Sequence, residues 1–397
     1  MPLKHKTLPS KSNRHQWYAL KWLRITLGRF MRKVTPAFWL VTSVACLAED
    51  GTPGSLDTSF LRYWSPGAES LTKTHVAAIT QDYKILVACN SEIAKLNQDG
   101  SLDQAFKGGV VTVSGGVIYA LVVQSNGKVV IAGSFTNVGG ISRNQIARLN
   151  SDGSVDLSFD PGAGVSGWIF NIGVRLDGKL AIAGNFSTVG GVSRKKIARL
   201  HSDGSLDPGF NPGDGTEGSI SSLAVQPDGR VVIGGWFSGF NGFNKTNIAR
   251  LNEDGSVDAS FTTSGANSVV SKIAYLSDGS LIVAGGFTTI NDASRRYIAK
   301  LDRDGNVDPR FILEYGPPDI MGLAVQSDGK VLIGGEFTLV QGIPRSRIAR
   351  LNADGSVDAT FDPGTGIQNS FDLRVCLKTM LSHFCSLTGA RTRYVKM

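Results

Sequence analysis

The sequence has few of the residues from which most catalytic and metal sites are built. Among 397 residues there are four cysteines and five histidines, and only His75 and His201 lie outside the two ends of the chain. Neither the Gly-x-Ser-x-Gly pattern of a nucleophile elbow nor the His-Glu-x-x-His pattern of a zinc protease occurs. Cys376 and Cys385 are free to pair in an oxidising compartment, but the spacing of the cysteines fits no metal motif and no disulfide framework. We therefore expect no cofactor and no enzymatic activity.

Long apolar segments are also absent. The longest, Ala37–Ala48, has 12 residues, which is too short for a helix that spans a bilayer, and Met31-Arg32-Lys33 precede it. This pattern predicts a secretion signal, with translation starting at Met31 and cleavage after Ala45 or Ala48. Lipidation at Cys46 is the alternative, although Ser43 stands where a lipoprotein box has a large aliphatic residue. We expect no transmembrane span in the mature protein.

The middle of the chain has no excess of positive charge, although the formal net charge of the whole chain is +8. Residues 1–33 hold nine Lys or Arg and no acid, and Phe371–Met397 hold five against one Asp, which leaves the middle near −5. The basic balance belongs to the ends. A nucleic-acid-binding surface in the middle is therefore not expected.

What the sequence has in abundance is a repeat, best seen in Ser219–Phe261. Ser219–Gln226 and Arg230–Phe237 are apolar runs that flank a Pro-Asp-Gly turn, which predicts an antiparallel hairpin. Thr246–Asn252 predicts a third strand, and an Asp-Gly turn leads to a fourth in Ser256–Phe261. No segment has the length and periodicity of a crossover helix, so the class is all-β.

Five full copies follow one another at a spacing of 50 or 51 residues, and a shortened copy without the middle loop, Leu71–Phe106, precedes them. One such sheet is too poor in large apolar side chains to bury both faces alone, so neighbouring sheets must share a core. We predict a β-propeller of about six four-stranded blades and leave open an incomplete seventh. Gly54–Phe60 matches the fourth strand alone, as expected of a ring that closes by pairing its two ends.

The run from Ala324 to Phe361, AVQSDGKVLIGGEFTLVQGIPRSRIARLNADGSVDATF, resembles the delta-60 repeat, a bacterial β-propeller-type repeat. The resemblance covers Gly54–Gly366 and implies an exported or cell-surface bacterial protein. It implies no catalytic residue. The predicted organisation is a basic leader and secretion signal in residues 1–48, repeats in residues 54–366, and an aberrant tail in residues 367–397 in which the repeat stops, as after a frameshift.

Two recurring motifs suggest ligands. Asn-x-Asp-Gly-Ser-x-Asp, as in Asn252–Asp258, places oxygen atoms as Ca²⁺ ligands do, but it lacks the distant Glu of a calcium loop and is an ordinary hairpin turn. We favour the turn. Gly162–Gly167 and Gly213–Gly218 fit the Gly-x-Gly-x-x-Gly pattern of dinucleotide sites, but no helix follows to hold a pyrophosphate, so we do not predict a nucleotide site.

The candidate site residues are cations in one register of the third strand. A ring of such cations is able to bind anionic glycans or carboxylates, but each can instead hydrogen-bond an Asp of the same or a neighbouring blade, such as Asp156 or Asp258, and we favour the latter. A second register lies just before it, at Arg143, Arg194, Arg295 and Arg345. The candidate ligand-facing residues are Arg148, Arg199, Arg250, Lys300 and Arg350. Trp168 and Trp236 can stack on a sugar, although packing between blades is the simpler role.

The predicted function is an exported, non-enzymatic interaction or structural module whose partner is an unknown protein or glycan. A propeller lectin or Ca²⁺-dependent adhesin is the first alternative. A propeller hydrolase or lyase is the second, and it requires unlike polar residues at one end of the central channel.

Overall fold

The computed structural model describes residues 74–89, 91–97, 103–107, 110–314, 316–326 and 328–364. The predicted secretion signal with Cys46, the segment Gly54–Phe60 and the tail in residues 367–397 lie outside the described residues.

The described chain is built of short strands and contains no α-helix, and thus no helix of the length and apolarity that a bilayer crossing requires. In chain order the strands are β1 (Thr74–Ile79), β2 (Ile85–Cys89), β3 (Glu92–Leu96), β4 (Val110–Ser114), β5 (Ile118–Val123), β6 (Val129–Gly133), β7 (Asn137–Val138), β8 (Ile141–Ser142), β9 (Ile146–Leu149), β10 (Val165–Val174), β11 (Leu180–Val189), β12 (Val192–Ser193), β13 (Ile197–Leu200), β14 (Ser219–Val225), β15 (Val231–Trp236), β16 (Ile248–Leu251), β17 (Val270–Tyr275), β18 (Leu281–Gly285), β19 (Thr289–Ile290), β20 (Ala293–Ser294), β21 (Ile298–Leu301), β22 (Ile320–Val325), β23 (Val331–Gly335), β24 (Leu339–Val340), β25 (Ile343–Pro344) and β26 (Ile348–Leu351).

The strands form six antiparallel blades of a β-propeller, as the sequence predicted. In chain order the blades are β1-β2-β3, β5-β6-β9, β10-β11-β13, β14-β15-β16, β17-β18-β21 and β22-β23-β26. The inner strands β1, β5, β10, β14, β17 and β22 pack against one another in that order. Within the described part of the chain, no comparable contact joins β22 to β1.

The turns set which end of the propeller each segment faces. In blade 4, the turn between β14 and β15 is closed by the Gly229 amide, which donates to the Gln226 carbonyl at 3.0 Å. Gly229 has a φ of 88°, which a residue with a Cβ rarely adopts. We call this end, which also carries the Asp-Gly turn after each third strand, the turn face. The opposite end, where each inner strand begins, is the loop face.

The predicted fourth strand is present in shortened form. In blade 4, Val257 makes an isolated antiparallel bridge to Leu251, and the Asp258 amide donates to the Arg250 carbonyl at 2.9 Å. The Asp258 carboxylate then accepts the Ser260 amide at 2.9 Å, which forms an Asx turn. Because this turn bends the backbone, the extended run stops before Phe261. The chain then leaves for the next blade.

The segment that links two blades bonds to the second one at both of its ends. After Phe261, the Thr262 amide donates to the Asp304 carbonyl at the turn face, at 2.8 Å, and the Gly265 carbonyl accepts the Asn291 amide at the loop face, at 2.9 Å. In blade 1, where β2 runs almost directly into β3 as the missing middle loop predicted, β4 has this role and pairs with both β3 and β7. Each linker therefore joins neighbouring blades by backbone hydrogen bonds.

The hydrophobic core lies between blades. One cluster joins Ala181, Ala183 and Ile197 of blade 3 to Phe210, Ile220 and Val231 of the next linker and blade 4. Another joins Val232 and Ile248 of blade 4 to Phe261 and the strands of blade 5. This arrangement agrees with the expectation that neighbouring sheets share a core, because neither face of one sheet is buried within its own blade.

Candidate functional site

The inner strands surround a central cavity of about 640 Å³. All six blades contribute to it. The lining residues are Ala77, Ala78, Tyr119, Leu121, Val122, Phe170, Asn171, Ile172, Ser221, Ser222, Leu223, Lys272, Ile273, Met321, Gly322 and Leu323.

Every inner strand carries a β-bulge at the same position, in its loop-face half. In blade 4, Ile220 pairs with Gly235 and Ser222 with Gly234, so that Ser221 has no partner of its own. A bulge breaks the alternation of side chains between the two faces of a strand. Three successive residues, Ser221, Ser222 and Leu223, consequently line the cavity.

We call the bulged residues the bulge ring. The equivalent register shifts occur in all six inner strands. The members are His75, Tyr119, Phe170, Ser221, Ser271 and Met321, and the side chain of His75 lies outside the described part of the structure. Four of them, Tyr119, Phe170, Ser221 and Met321, line the cavity.

A glycine on the second strand makes the bulge fit. A Cβ on Gly285 would lie 2.0 Å from the backbone oxygen of Val269, a distance that no atom pair tolerates. The equivalent glycines, on which a Cβ would lie 2.0 to 2.2 Å from the corresponding backbone oxygen of their own blade, are Gly133, Gly184, Gly235 and Gly335. This close approach explains the glycine that recurs two residues before each Phe of the second strand.

Below the bulge ring the cavity is uniform. The position after next in each inner strand is apolar, and we call these residues the apolar belt: Ala77, Leu121, Ile172, Leu223, Ile273 and Leu323. The bulge ring, by contrast, holds a histidine, a tyrosine, a phenylalanine, two serines and a methionine. The cavity is therefore lined by equivalent residues on one level and by unlike residues on the next.

The unlike residues are segregated around the ring. Tyr119 and Phe170 meet edge to face, with ring centroids 5.6 Å apart, and the Trp168 ring lies 6.4 Å from that of Phe170. We call these three residues, from blades 2 and 3, the aromatic wall. Trp168 is 50% exposed and extends the wall toward the loop face.

Polar side chains follow in blades 3 to 5. The Asn171 amide nitrogen donates to the carbonyl of the bulged Ser221 at 3.4 Å, and the Ser222 hydroxyl accepts the Ile273 amide at 3.0 Å. Both bonds cross from one blade to its neighbour. Lys272 brings a positive charge to the same level of the cavity.

The cations predicted as candidate ligand-facing residues lie elsewhere, between the blades. Arg250 is 3% exposed, its Nε donates to Asp258 at 2.7 Å, and its guanidinium lies 4.7 Å from the centre of the Phe261 ring. It also donates to the backbone oxygen of Arg303 in the next blade. We call this cation, its carboxylate and its ring an interblade lock.

The lock recurs along the chain. Arg148 and Arg199 bind Asp156 and Asp207 in the same way and donate to carbonyls of the next blade. Arg350 binds Asp358 at 2.7 Å, whereas the Lys300 ammonium is 3.9 Å from Asp308. Since carboxylates and backbone oxygens engage these cations, a ligand role for them stays a prediction that this geometry does not favour.

The lock carboxylates are held in their charged form. Burial raises the pKa of Asp207, but hydrogen bonds from Lys179 and Arg199 outweigh this effect and lower the pKa to about 2. The pKa values of Asp156, Asp258 and Asp358 are lowered against the same effect of burial by equivalent donors.

The second register of cations lies at the loop face, at the start of each third strand. The Arg143 guanidinium donates to the Ser142 carbonyl at 3.0 Å, while its Nε is buried without a hydrogen-bond partner, and Arg194, Arg295 and Arg345 repeat both features. In blade 4 the position is Lys245, whose ammonium donates to the Phe261 and Thr263 carbonyls at 2.8 and 3.2 Å. Burial lowers the pKa of Lys245. These cations precede the third strand of their own blades, and none of them is among the residues that line the cavity.

The turn motifs that resembled calcium loops bond to themselves. Asp254 accepts the Ser256 amide and hydroxyl at 2.9 and 2.6 Å, and Asp152, Asp203 and Asp354 do the same. In the described residues no group of three or more His, Cys, Asp or Glu side chains is arranged to hold a metal ion. The Gly-x-Gly-x-x-Gly segments are linkers that lead into the strands β10 and β14.

The remaining singled-out side chains lie at the surface. Trp236, at the loop face of blade 4, is 63% exposed. His201 is partly exposed, and its Nε2 lies 3.8 Å from Asp207. Sequence reasoning therefore missed the bulge ring, although one signal was available. Its position and the next one change in chemistry from copy to copy, whereas the positions on either side of this pair, such as Ile220 and Leu223, stay apolar.

A family model described as a β-propeller agrees with the fold. Five segments, 124–159, 176–210, 226–261, 276–311 and 326–361, match a family model described as a domain of unknown function (DUF5122) beta-propeller. Virginiamycin B lyase from Staphylococcus aureus is 13% identical (TM-score 0.43, 77% of this chain and 87% of that chain covered), and the gluconolactonase XC5397 from Xanthomonas campestris is 15% identical (TM-score 0.41, 66% and 83% covered). YCF48 bound to D1 peptide is 13% identical (TM-score 0.42, 77% and 87% covered). No curated protein matches the sequence. The chain is a β-propeller-type repeat protein.

Proposed function

We propose that this β-propeller-type repeat protein, with repeats of the delta-60 type, is an exported, non-enzymatic interaction module that takes its ligand at the loop-face mouth of the central cavity. The observation that carries the proposal is the bulge ring. Its equivalent positions in the repeat hold unlike side chains at the cavity.

Architecture alone gives no reason for this variety. The apolar belt, the bulge glycines and most of the interblade locks use the same residue type or close equivalents in successive blades, because each blade packs on its neighbour in the same way. The bulge ring lies beside the cavity, where packing constrains a side chain least. Ligand pockets combine an apolar lining with a few placed polar groups, and this level of the cavity does so.

Export is supported by the sequence. Basic residues followed by the apolar run Ala37–Ala48 are typical of a secretion signal, and delta-60 repeats imply a bacterial surface or extracellular protein. The scarcity of titratable side chains supports the non-enzymatic part: among the described lining residues, only Tyr119 and Lys272 are titratable.

The test measures binding of the full chain to peptide and glycan arrays. It compares the unaltered protein with a variant in which the loop-face mouth of the cavity is blocked. Ser221→Trp places a large ring in the bulge ring, and Ser277→Trp adds the same ring to an exposed turn on the turn face as a matched control. We expect array binding that Ser221→Trp abolishes and Ser277→Trp preserves. Binding that survives in both variants would contradict the proposal.

A hydrolase or lyase is the second candidate, because the unlike polar residues Tyr119, Asn171 and Lys272 all line the cavity. Turnover in a panel of esters, lactones and polysaccharides that Lys272→Met abolishes, with array binding retained, would favour it over a pure binding module.

A further inference from the structure

We infer that the loop-face end of blade 3 carries a subsite for a uronic acid, that is, a sugar with a carboxylate, within a glycan chain. This inference rests on the proposed function, since it names the ligand chemistry at the rim of the same mouth. Three features carry it: an exposed indole, a free amide group and a lysine held in a strained backbone conformation.

Three side chains lie side by side at this end of blade 3. Trp168 of β10 pairs with Asn185 of β11, and directly opposed residues of an antiparallel pair project to the same side of the sheet. The Lys196 ammonium, just before β13, donates to the Asn185 carboxamide oxygen at 2.6 Å. We call Trp168, Asn185 and Lys196 the blade 3 row. Adjacent strands are about 4.8 Å apart, so the row is about 10 Å long, which is the size of a disaccharide.

The indole of Trp168 supplies an apolar plane at the edge of the mouth. It is 50% exposed, and its ring lies 6.4 Å from that of Phe170, which lines the cavity. A pyranose ring has an apolar face formed by its axial hydrogens, and an exposed indole is a flat surface on which such a face packs. The blade 3 row is therefore continuous with the aromatic wall and open to a sugar.

Lys196 occupies a backbone conformation that favours glycine. Its φ is 69°, and the residue just before the third strand has a φ of 64° to 69° in each of blades 2 to 6, although none of the five is glycine. Two of the others join blades: Asn247 Nδ2 donates to the Ala266 carbonyl at 2.9 Å, and Tyr297 packs against the core shared with blade 6. Lys196 bonds only within its own blade. Because blade assembly does not use this side chain, the strained backbone points to a ligand.

The ammonium of Lys196 is available to an anion. Asn185 is neutral, and no carboxylate of the described residues forms an ion pair with Lys196, whereas the neighbouring Lys195 pairs with Glu217 at 3.2 Å. An ammonium has three N–H donors, so two remain for a carboxylate. The Nδ2 group of Asn185 donates no hydrogen bond within the described residues and remains for a sugar hydroxyl.

Blade 4 has an exposed indole without the rest of the site. The same three positions hold Ser219, Trp236 and Asn247, and Trp236 is 63% exposed. Asn247 is buried, and both ends of its carboxamide are engaged, by the Phe237 amide and the Ala266 carbonyl. Blade 4 therefore provides an internal control for the indole alone.

The experiment titrates the full chain with digalacturonate and with its dimethyl ester, which share the sugar rings and differ in charge, by ligand-observed NMR. We expect digalacturonate to bind about tenfold more tightly, which corresponds to about 1.4 kcal/mol and to one charge-assisted hydrogen bond. Lys196→Gln should remove this preference, and Lys196→Arg should keep it. Trp168→Ala should weaken the binding of both compounds.

Lys196→Gly separates binding from structure, because glycine adopts a positive φ without strain. This variant should unfold at the same temperature as the unaltered protein or a higher one, and yet lose the preference for the acid. Lys195→Gln and Trp236→Ala are the matched controls, since they change the adjacent lysine and the exposed indole of blade 4. Both should bind as the unaltered protein does.

Equal affinity for acid and ester, undetectable binding of digalacturonate, or an equal loss in Lys195→Gln would overturn the inference. Equally tight binding of N-acetyl-Glu-Glu-amide, which carries two carboxylates without a sugar ring, would overturn it as well. If digalacturonate does not bind while Ser221→Trp still blocks array binding, only the ligand chemistry is wrong; if Ser221→Trp blocks nothing, the proposed function fails.

Discussion

The interblade locks and the bulge ring occupy equivalent positions in every blade, yet they differ in how much the blades agree. The lock keeps a cation, an Asp and a Phe in each full copy, and the cation is an arginine in four of the five. The bulge ring holds Tyr119, Phe170, Ser221, Ser271 and Met321 in the same five copies. One level of the repeat is uniform and the other is not.

The difference follows from where each set lies. A lock is buried between two blades, so a change there leaves a charge or a cavity in a core that both blades share. The bulge ring borders an open cavity, where a different side chain alters the surface and not the packing. Uniformity therefore marks the residues that assemble the propeller, and under the proposed function variety marks those that contact a ligand.

The largest effect is expected from breaking a lock. Asp258→Ala leaves Arg250 buried without its carboxylate, and the loss of one partner of a buried pair typically costs about 3–5 kcal/mol. Urea unfolding of the full chain measures it. Asp308→Ala is the control in the neighbouring blade, where the Lys300 ammonium is 3.9 Å away, and it should cost less than half as much. Equal losses would show that the arginine geometry is not what matters.

A smaller effect is expected from the glycine that permits the bulge. Gly285→Ala brings a Cβ within 2.0 Å of the Val269 backbone oxygen, while Gly286→Ala, one residue on, meets only the side chains of Val269 and Ser268 at 3.3 and 3.4 Å. Overpacking of this kind costs about 1–3 kcal/mol, so Gly285→Ala should lower the unfolding free energy and Gly286→Ala should not.

The two glycine variants also test whether ligand binding at the bulge ring depends on the packing of the second strand. Because the bulge beside Gly285 sets the course of β17 along the cavity, Gly285→Ala should weaken ligand binding on the arrays as well as stability. Destabilisation with unchanged binding would separate the bulge from the site.

Much of the fold could be predicted because the repeat carries local sequence signals for its turns and strands. The predicted strand Ser219–Gln226 is observed as Ser219–Val225, and Arg230–Phe237 as Val231–Trp236, since Asp-Gly turns and apolar runs are local signals. The fourth strand was predicted too long. Its alternating pattern extends to Phe261, but the Asp258 carboxylate bends the backbone by accepting the Ser260 amide.

The candidate site could not be predicted in the same way. A row of arginines in register suggests a binding ring, and only the three-dimensional contacts show that Asp258 and a carbonyl of the next blade engage Arg250. The bulge ring depends on a register shift between two strands, which no single residue encodes. Its indirect sign in the sequence is a glycine such as Gly235, but a glycine occurs in a strand for several other structural reasons.

The pH dependence of stability also distinguishes the interblade locks from the bulge ring. The folded-state pKa of Asp207, about 2, lies below its ordinary value of 3.8, so its contribution to stability is complete above about pH 4 and is lost as the pH falls toward 2. Thermal melts from pH 5 to pH 2.5 should show this decline. Asp207→Asn should start less stable and decline less steeply, whereas Ser221→Ala in the bulge ring should decline as the unaltered protein does. A slope that Asp207→Asn leaves unchanged would contradict the assignment.

The smallest effect comes from making one chemical change at both levels of blade 4. The Ser260 hydroxyl donates to Asp258 at 2.7 Å and accepts from Arg250 at 3.2 Å, so Ser260→Ala should cost about 1 kcal/mol of unfolding free energy. Ser221→Ala should stay within about 0.5 kcal/mol of the unaltered protein, because the hydroxyl lies beside the cavity and not in a packed core. Ligand binding should show the reverse order, with Ser221→Ala weakening it and Ser260→Ala leaving it unchanged. If both substitutions changed stability and binding alike, the division between assembling and ligand-binding levels would be wrong.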